Sequence, residues 1–242
     1  MNMTLLEERW RGVLDNMAEA VRKAGRREDS VRLVAVSKFH PASDIAELCS
    51  LGQKDFGENY IQEARAKQKE LAGLDIRWHA IGPVQTNKAK EVAGHFALLH
   101  TLDRVELARA LMHRLPEGAA QDVLIQVNVG EEPQKSGVLP AALPPLFDAL
   151  LSSGLISAEG PGLHVRGLMC LPPRCGEGEE ARPYFIMLRR LRDDMEKRFS
   201  LSLPELSMGM SGDYREAIEE GATLVRVGTD IFGPRPLKSQ ML

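Results

Sequence analysis

The sequence predicts an α/β protein, a (β/α)8 TIM barrel with an extra N-terminal helix. Three observations carry that expectation. Short β-rich runs alternate with helical patterns from residue 31 onward, which implies a parallel sheet covered by helices. There are eight such runs, the number a closed barrel needs. No G-x-G-x-x-G follows the first run, where a doubly wound dinucleotide-binding sheet would carry it.

The first element is helical. Residues 4 to 24 carry Leu6, Trp10, Val13, Leu14, Met17 and Val21 at intervals of three and four, one apolar helix face. Strands are predicted near 31–37, 54–57, 76–81, 97–101, 123–128, 164–169, 205–208 and 223–227. The intervening helices are clearest at 103–114, 181–199 and 213–220, the last with Asp213 as N-cap and Gly221 just beyond its end. No Pro/Gly/Ser linker or internal repeat divides the chain, so 1–242 is expected to be a single barrel domain. The segment "LPPRCGEGEEARP", 171 to 183, reads as a mobile loop.

Composition narrows the function classes. A net charge of -3 offers no basic field for phosphate backbones, so no nucleic-acid partner is expected. The N-terminus "MNMTLLEERWRGVLDNM" mixes charges into its apolar positions and reads as neither signal peptide nor span; no membrane association is expected, and a cytoplasmic monomer is. Three cysteines, Cys49, Cys170 and Cys175, suit free thiols in a reducing compartment. "CLPPRC" lacks C-x2-C spacing, so no metal site is expected.

Barrel chemistry sits at the C-terminal ends of the strands. In "RLVAVSKFHPAS", Lys38 follows two positions after Val36 with the parity of Val34 and Val36, which aims it at the barrel mouth. A lysine snorkelling to solvent is the simpler alternative. Other strand ends weigh against it. The loops after strands seven and eight, the habitual phosphate site, contain Ser211, Gly228 and Thr229, with N–H or hydroxyl donors near the helix beginning at Asp213. Arg226 shares the inward parity of Leu224 and needs an acceptor, either a ligand or a core carboxylate such as Glu58. "DFGENYIQEA" adds Glu58 and Asn59, and "WHAIGPVQTNK" adds His79, Gln85, Asn87 and Lys88; His79 alone reads equally well as a hydrogen-bonded core histidine. A lysine nucleophile, a phosphate cradle and a cation between them match pyridoxal 5'-phosphate. The amine must be neutral to attack an aldehyde, so its pKa, ordinarily about 10.4, has to be lowered by burial and neighbouring positive charge.

The motifs "VAVSK", "FGENYIQEA", "WHAIGPVQTNK", "VLIQVNVGEEPQKSGV", "VRGLMCLPP" and "LSMGMSGDYREAIEEGATLVRVGTDIFG" resemble the pyridoxal phosphate homeostasis proteins, similar in fold to the barrel domain of alanine racemase. The resemblance runs from about 5 to 235. It implies Lys38 as the Schiff-base lysine, Arg226 beside the pyridine nitrogen, Ser211, Gly228 and Thr229 around the phosphate, and Asn59 and His79 near the ring. The chain departs from the family pattern mainly between 131 and 182, although Lys135 and Gly137 match its Lys-x-Gly pair.

Carrier and catalyst differ at the pyridine nitrogen. Strong pyridoxal enzymes place a carboxylate there to keep it protonated, and arginine cannot accept a proton. The chain stops at Leu242, so the C-terminal β-domain that gives a racemase its opposing tyrosine is expected to be absent, leaving Tyr60, Tyr184 and Tyr214. The expectation is a non-catalytic cofactor carrier that buffers pyridoxal phosphate or delivers it to recipient enzymes. The alternatives are a weak amino-acid racemase and, from another chemistry, a cofactor-free Schiff-base aldolase.

Overall fold

The computed structural model describes residues 3–173 and 178–234. Parallel strands close a barrel in chain order. They are β1 (Arg32–Val36), β2 (Asp55–Glu58), β3 (Arg77–Ala80), β4 (Leu98–Leu102), β5 (Ala120–Val127), β6 (Gly162–Cys170), β7 (Glu205–Ser207) and β8 (Leu224–Val227). Every one overlaps a predicted strand. The helices are α1 (Leu5–Lys23), α2 (Ala42–Ser50), α3 (Ile61–Glu70), α4 (Ala89–Val92), α5 (Val105–Met112), α6 (Leu143–Ser152), α7 (Arg182–Phe199), α8 (Tyr214–Glu219) and α9 (Thr229–Phe232). Cys175 and the centre of the 171–183 segment lie outside the described residues, and among those described no helix is long and apolar enough to cross a membrane.

The N-terminal helix completes the helical ring. Thr4 caps it, accepting from Glu7 N–H at 3.1 Å. Its face of Trp10, Val13, Met17, Ala20 and Val21 is buried in the same cluster as Leu33, Ala35, Val225 and Val227. It packs against α8 and α9 and so covers the β1–β8 seam, which the one-turn helix α9 is too short to cover alone.

Register fixes what lies inside. Pairing of β1 with β8 sets Val34 opposite Arg226, and pairing of β2 with β3 sets Gly57 opposite His79. An interior cluster of Val34, Leu98, Leu124, Met169 and Leu224 is separate from the larger cluster between strands and helices. Buried polar side chains, His79, His100, Ser207 and Arg226, share this interior.

One capping expectation changes. Asp213 occupies the N-cap position of α8 but makes no side-chain cap bond; its Oδ1 instead accepts from Met210 N–H at 2.6 Å, tightening the loop after β7.

Candidate functional site

Lys38 lies two residues beyond β1, half-buried, and its chain neighbours are held on both sides. Ser37 N–H donates to Gly57 O at 3.1 Å, so the parallel ladder reaches the residue before Lys38. Ser37 Oγ donates to Glu58 Oε1 at 2.8 Å. Lys67, buried in α3, donates to Ser37 O at 2.8 Å and to Glu58 and Glu63 at 2.7 Å each. On the other side Phe39 takes φ +68°, with its N–H donated to Glu63 Oε1 at 2.7 Å. Burial pushes the Glu58 carboxyl up, against the pull of Lys67 and Ser37. Glu58 therefore belongs to this clamp and is not the partner of Arg226, which corrects the core-carboxylate alternative. The signal for Lys67 was weak, because "IQEARAKQKE" reads as a solvated helix.

Arg226 points inward as its parity predicts and is buried. It donates through one terminal nitrogen to Ser207 Oγ at 2.5 Å and through the other to Cys170 O at 2.9 Å. Burial, against the pull of the Arg226 charge, raises the Cys170 thiol to about 12, which makes it a neutral packing group. His79 lies in the barrel interior, with Nε2 2.9 Å from Asp55 and Nδ1 2.9 Å from His100. Both its nitrogens are taken, so it can influence a ligand at the mouth only through these partners. Asp55, His100 and Ser207 went unnoticed in the sequence, although inward parity in "DFGE" and "LLHTL" marks the first two.

The loops after β7 and β8 come together. Ser211 Oγ accepts from Asp230 N–H at 3.4 Å, which ties the loop leading into α8 to the first turn of α9, so the start of a second helix lies beside these residues. A Cβ on Gly228 would lie 3.3 Å from Val36 O, which seats the β8 loop against the strand that leads to Lys38. Gly209 has φ +92°, and a Cβ there would come within 2.6 Å of Ala217 Cβ. Thr229 is exposed at the same edge. Across the mouth Asn59 is half-buried, and its carbonyl comes so near Gly82 that a Cβ on that glycine would lie 2.1 Å away. Asn59, Tyr60, Gln85, Lys88, Arg104 and Ser136 line an adjoining cleft of about 430 Å³; Asn87 is exposed nearby. The divergent loop after β5 folds back on that strand: Val138 N–H donates to Gln126 O and Asn128 N–H to Val138 O, each at 2.9 Å, and Lys135 Nζ reaches Pro172 O at 2.8 Å.

A closed parallel barrel with a half-buried lysine two residues after β1 and a buried arginine on β8 defines a class of protein. The family model described as alanine racemase, N-terminal domain, matches residues 13–236. A pyridoxal phosphate homeostasis protein of Aquifex aeolicus is 45% identical over 229 residues, 94% of this chain and 97% of the relative. One from Pseudomonas aeruginosa is 43% identical over 234 residues, 96% and 97% of the two chains. The structure of PipY from Synechococcus elongatus with PLP bound aligns with TM-score 0.73 and 36% identity, over 90% of this chain and all of that one. The chain belongs to the pyridoxal phosphate homeostasis protein family.

Proposed function

We propose that this protein binds pyridoxal 5'-phosphate through Lys38 and acts in homeostasis of that cofactor. It buffers or delivers the cofactor without catalysing a reaction, as a cytoplasmic monomer, with pyridoxal phosphate enzymes as recipients, and so influences amino-acid and 2-oxo-acid metabolism. The observation that carries the reading is the clamp on both sides of Lys38, beside loops that offer an anion Ser211, Gly228 and Thr229. The donor set fits an anionic aldehyde: an amine, close backbone approach at Gly228, and a buried guanidinium. The homologous PipY, solved with PLP bound, supports the same ligand.

When bound, the cofactor supplies an electrophilic aldehyde and a conjugated ring. Lys38 would hold the aldehyde carbon. Ser211 and the Gly228–Thr229 backbone would hold the phosphate by charge-assisted hydrogen bonds. Asn59 would border the ring, with His79 one layer beneath. Arg226 only donates, so it would leave the ring nitrogen unprotonated and the ring a poor electron sink. That favours carriage over catalysis.

The test is the visible spectrum of the protein after addition of pyridoxal phosphate, followed by borohydride reduction and peptide mapping. A yellow species whose reduced adduct maps to Lys38, and is lost in Lys38→Ala, is expected; an adduct surviving on another lysine would refute the assignment. Exchange of the L-alanine α-proton in deuterated water should be no faster than with free cofactor. Turnover to D-alanine would mean a racemase, and a colourless protein cleaving a phosphorylated sugar would mean an aldolase.

A further inference from the structure

A chain of buried polar groups runs through the barrel from Asp55 to Arg226, and its hydrogens have one consistent direction. Asp55 accepts from Arg77 at 2.5 Å and has a second guanidinium, that of Arg32, 4.0 Å away. Burial raises its carboxyl, but His79 and Arg77 outweigh it and hold the group below the usual range, so it is an acceptor. Burial also lowers His79 and keeps it neutral. A neutral imidazole facing a carboxylate carries its hydrogen on the facing nitrogen, here Nε2 at 2.9 Å. His79 Nδ1 is then a lone pair, so His100 Nε2, 2.9 Å away, must carry a hydrogen. His100 is fully buried and its pKa is pushed well below the ordinary value by burial, then by His79 and Arg226; it too is neutral, with Nδ1 bare. That nitrogen accepts the Ser207 hydroxyl hydrogen at 2.9 Å. Ser207 Oγ in turn accepts from Arg226. The reverse direction would set a lone pair of His79 against the Asp55 carboxylate.

Polar groups with no ligand to serve would be a poor filling for this layer. The same interior packs Val34, Leu98, Leu124, Met169 and Leu224, and well-packed apolar groups are often at least as stable as a buried polar set. The chain nevertheless begins at a fixed carboxylate and delivers its direction to one guanidinium. Ser207 and the Cys170 carbonyl take up two of the five N–H donors of Arg226 and fix its plane.

We propose that Ser207, His100 and His79 are positioning residues. Through Ser207 the chain anchored at Asp55 aims the remaining donors of Arg226 at an acceptor atom in the ring of the ligand held by Lys38. The proposal rests on the cofactor reading above and deepens it by assigning how the ring nitrogen is recognised.

The experiment compares pyridoxal phosphate with its analogue in which the ring nitrogen is replaced by C–H, each titrated into wild type, Ser207→Ala and Ser207→Thr by visible absorption. Wild type should prefer the nitrogen-containing ring roughly tenfold to a hundredfold, the worth of one charge-assisted hydrogen bond. Ser207→Ala should lose most of that preference while still forming the Schiff base, and Ser207→Thr should keep it. Nitrogen-15 NMR of the ligand-free protein reads the chain independently: His79 and His100 should both be neutral with the hydrogen on Nε2. A hydrogen on Nδ1 of either ring, or a full preference surviving in Ser207→Ala, would overturn the proposal. Failure of wild type to form any Schiff base would sink the cofactor reading itself, and the aiming role with it.

Discussion

Phe39 adopts a left-handed backbone conformation that costs a residue with a side chain on the order of 1–3 kcal/mol and persists only where its surroundings over-determine it. The surroundings here are Glu63, which takes the Phe39 N–H, and Lys67, which holds Glu63, Glu58 and the Ser37 carbonyl together. Lys38 sits between these two fixed residues, so its backbone geometry is set by groups that are not themselves at the mouth. Lys67 carries the arrangement, because Glu58 is fully buried and its Oε2 has no hydrogen-bond partner among the described residues. Lys67→Met should therefore cost roughly 3–5 kcal/mol of unfolding free energy, the penalty for leaving a buried charge unpaired. Lys67→Met combined with Glu58→Gln should recover a large part of it. Urea titrations check both, and the rate of Schiff-base formation at Lys38 should fall in the single variant. A loss below about 0.5 kcal/mol for Lys67→Met would mean that the clamp contributes nothing.

At the scale of elements, the strands and their parity were legible, while pieces defined by tertiary contact were not. Alternation placed Lys38 beyond β1 and turned Arg226 inward because a strand's period of two is read directly from the sequence. The α9 helix spans only Thr229–Phe232, too short to show a helical period, so the sequence points to the helix after Asp213 and gives no sign of the second helix start beside Ser211. The α3 helix hid Lys67 because its partners come from β2 and from the loop after β1, which sequence spacing does not report. The two loops still define a prediction. If Ser211 donates to the phosphate, Ser211→Ala should weaken pyridoxal phosphate binding roughly tenfold or more and barely change binding of unphosphorylated pyridoxal. Titration of the visible band with each aldehyde measures this. Equal losses for both would place the phosphate elsewhere.

The whole molecule carries titrating groups within its barrel, and that gives its stability a signed dependence on pH. Burial lowers both His79 and His100 below the ordinary histidine value of 6.5. Between 6.5 and those lowered values the unfolded chain binds protons that the folded barrel does not. The stability these rings contribute is thus fully present above about 6.5 and is lost as pH falls through that window, by at most ~1.4 kcal/mol per pH unit for each proton. Asp55 adds a loss only further down, as pH falls from 3.8 through its lowered value. Glu58 opposes it, because a carboxyl raised above 4.5 binds its proton more tightly in the folded state and gains stability as pH drops toward 4.5. His40 and His95 are lowered by burial in the same direction and Asp230 is raised like Glu58, so four histidines against two carboxyls leave a net loss on the acid side. Unfolding free energies from urea titrations at about pH 7.5, 6.5, 5.5 and 4.5 should therefore decline steadily in wild type. His100→Gln should be less stable at every pH, since it breaks the chain between Ser207 and His79, yet its decline between 6.5 and 4.5 should be shallower by up to one proton. The slope is the diagnostic quantity, because any packing defect shifts the curve without tilting it. A His100→Gln curve that runs parallel to wild type across this window would mean that His100 takes up its proton in the folded barrel as readily as in the unfolded chain, and the hydrogen direction from Arg226 to Asp55 would then be wrong.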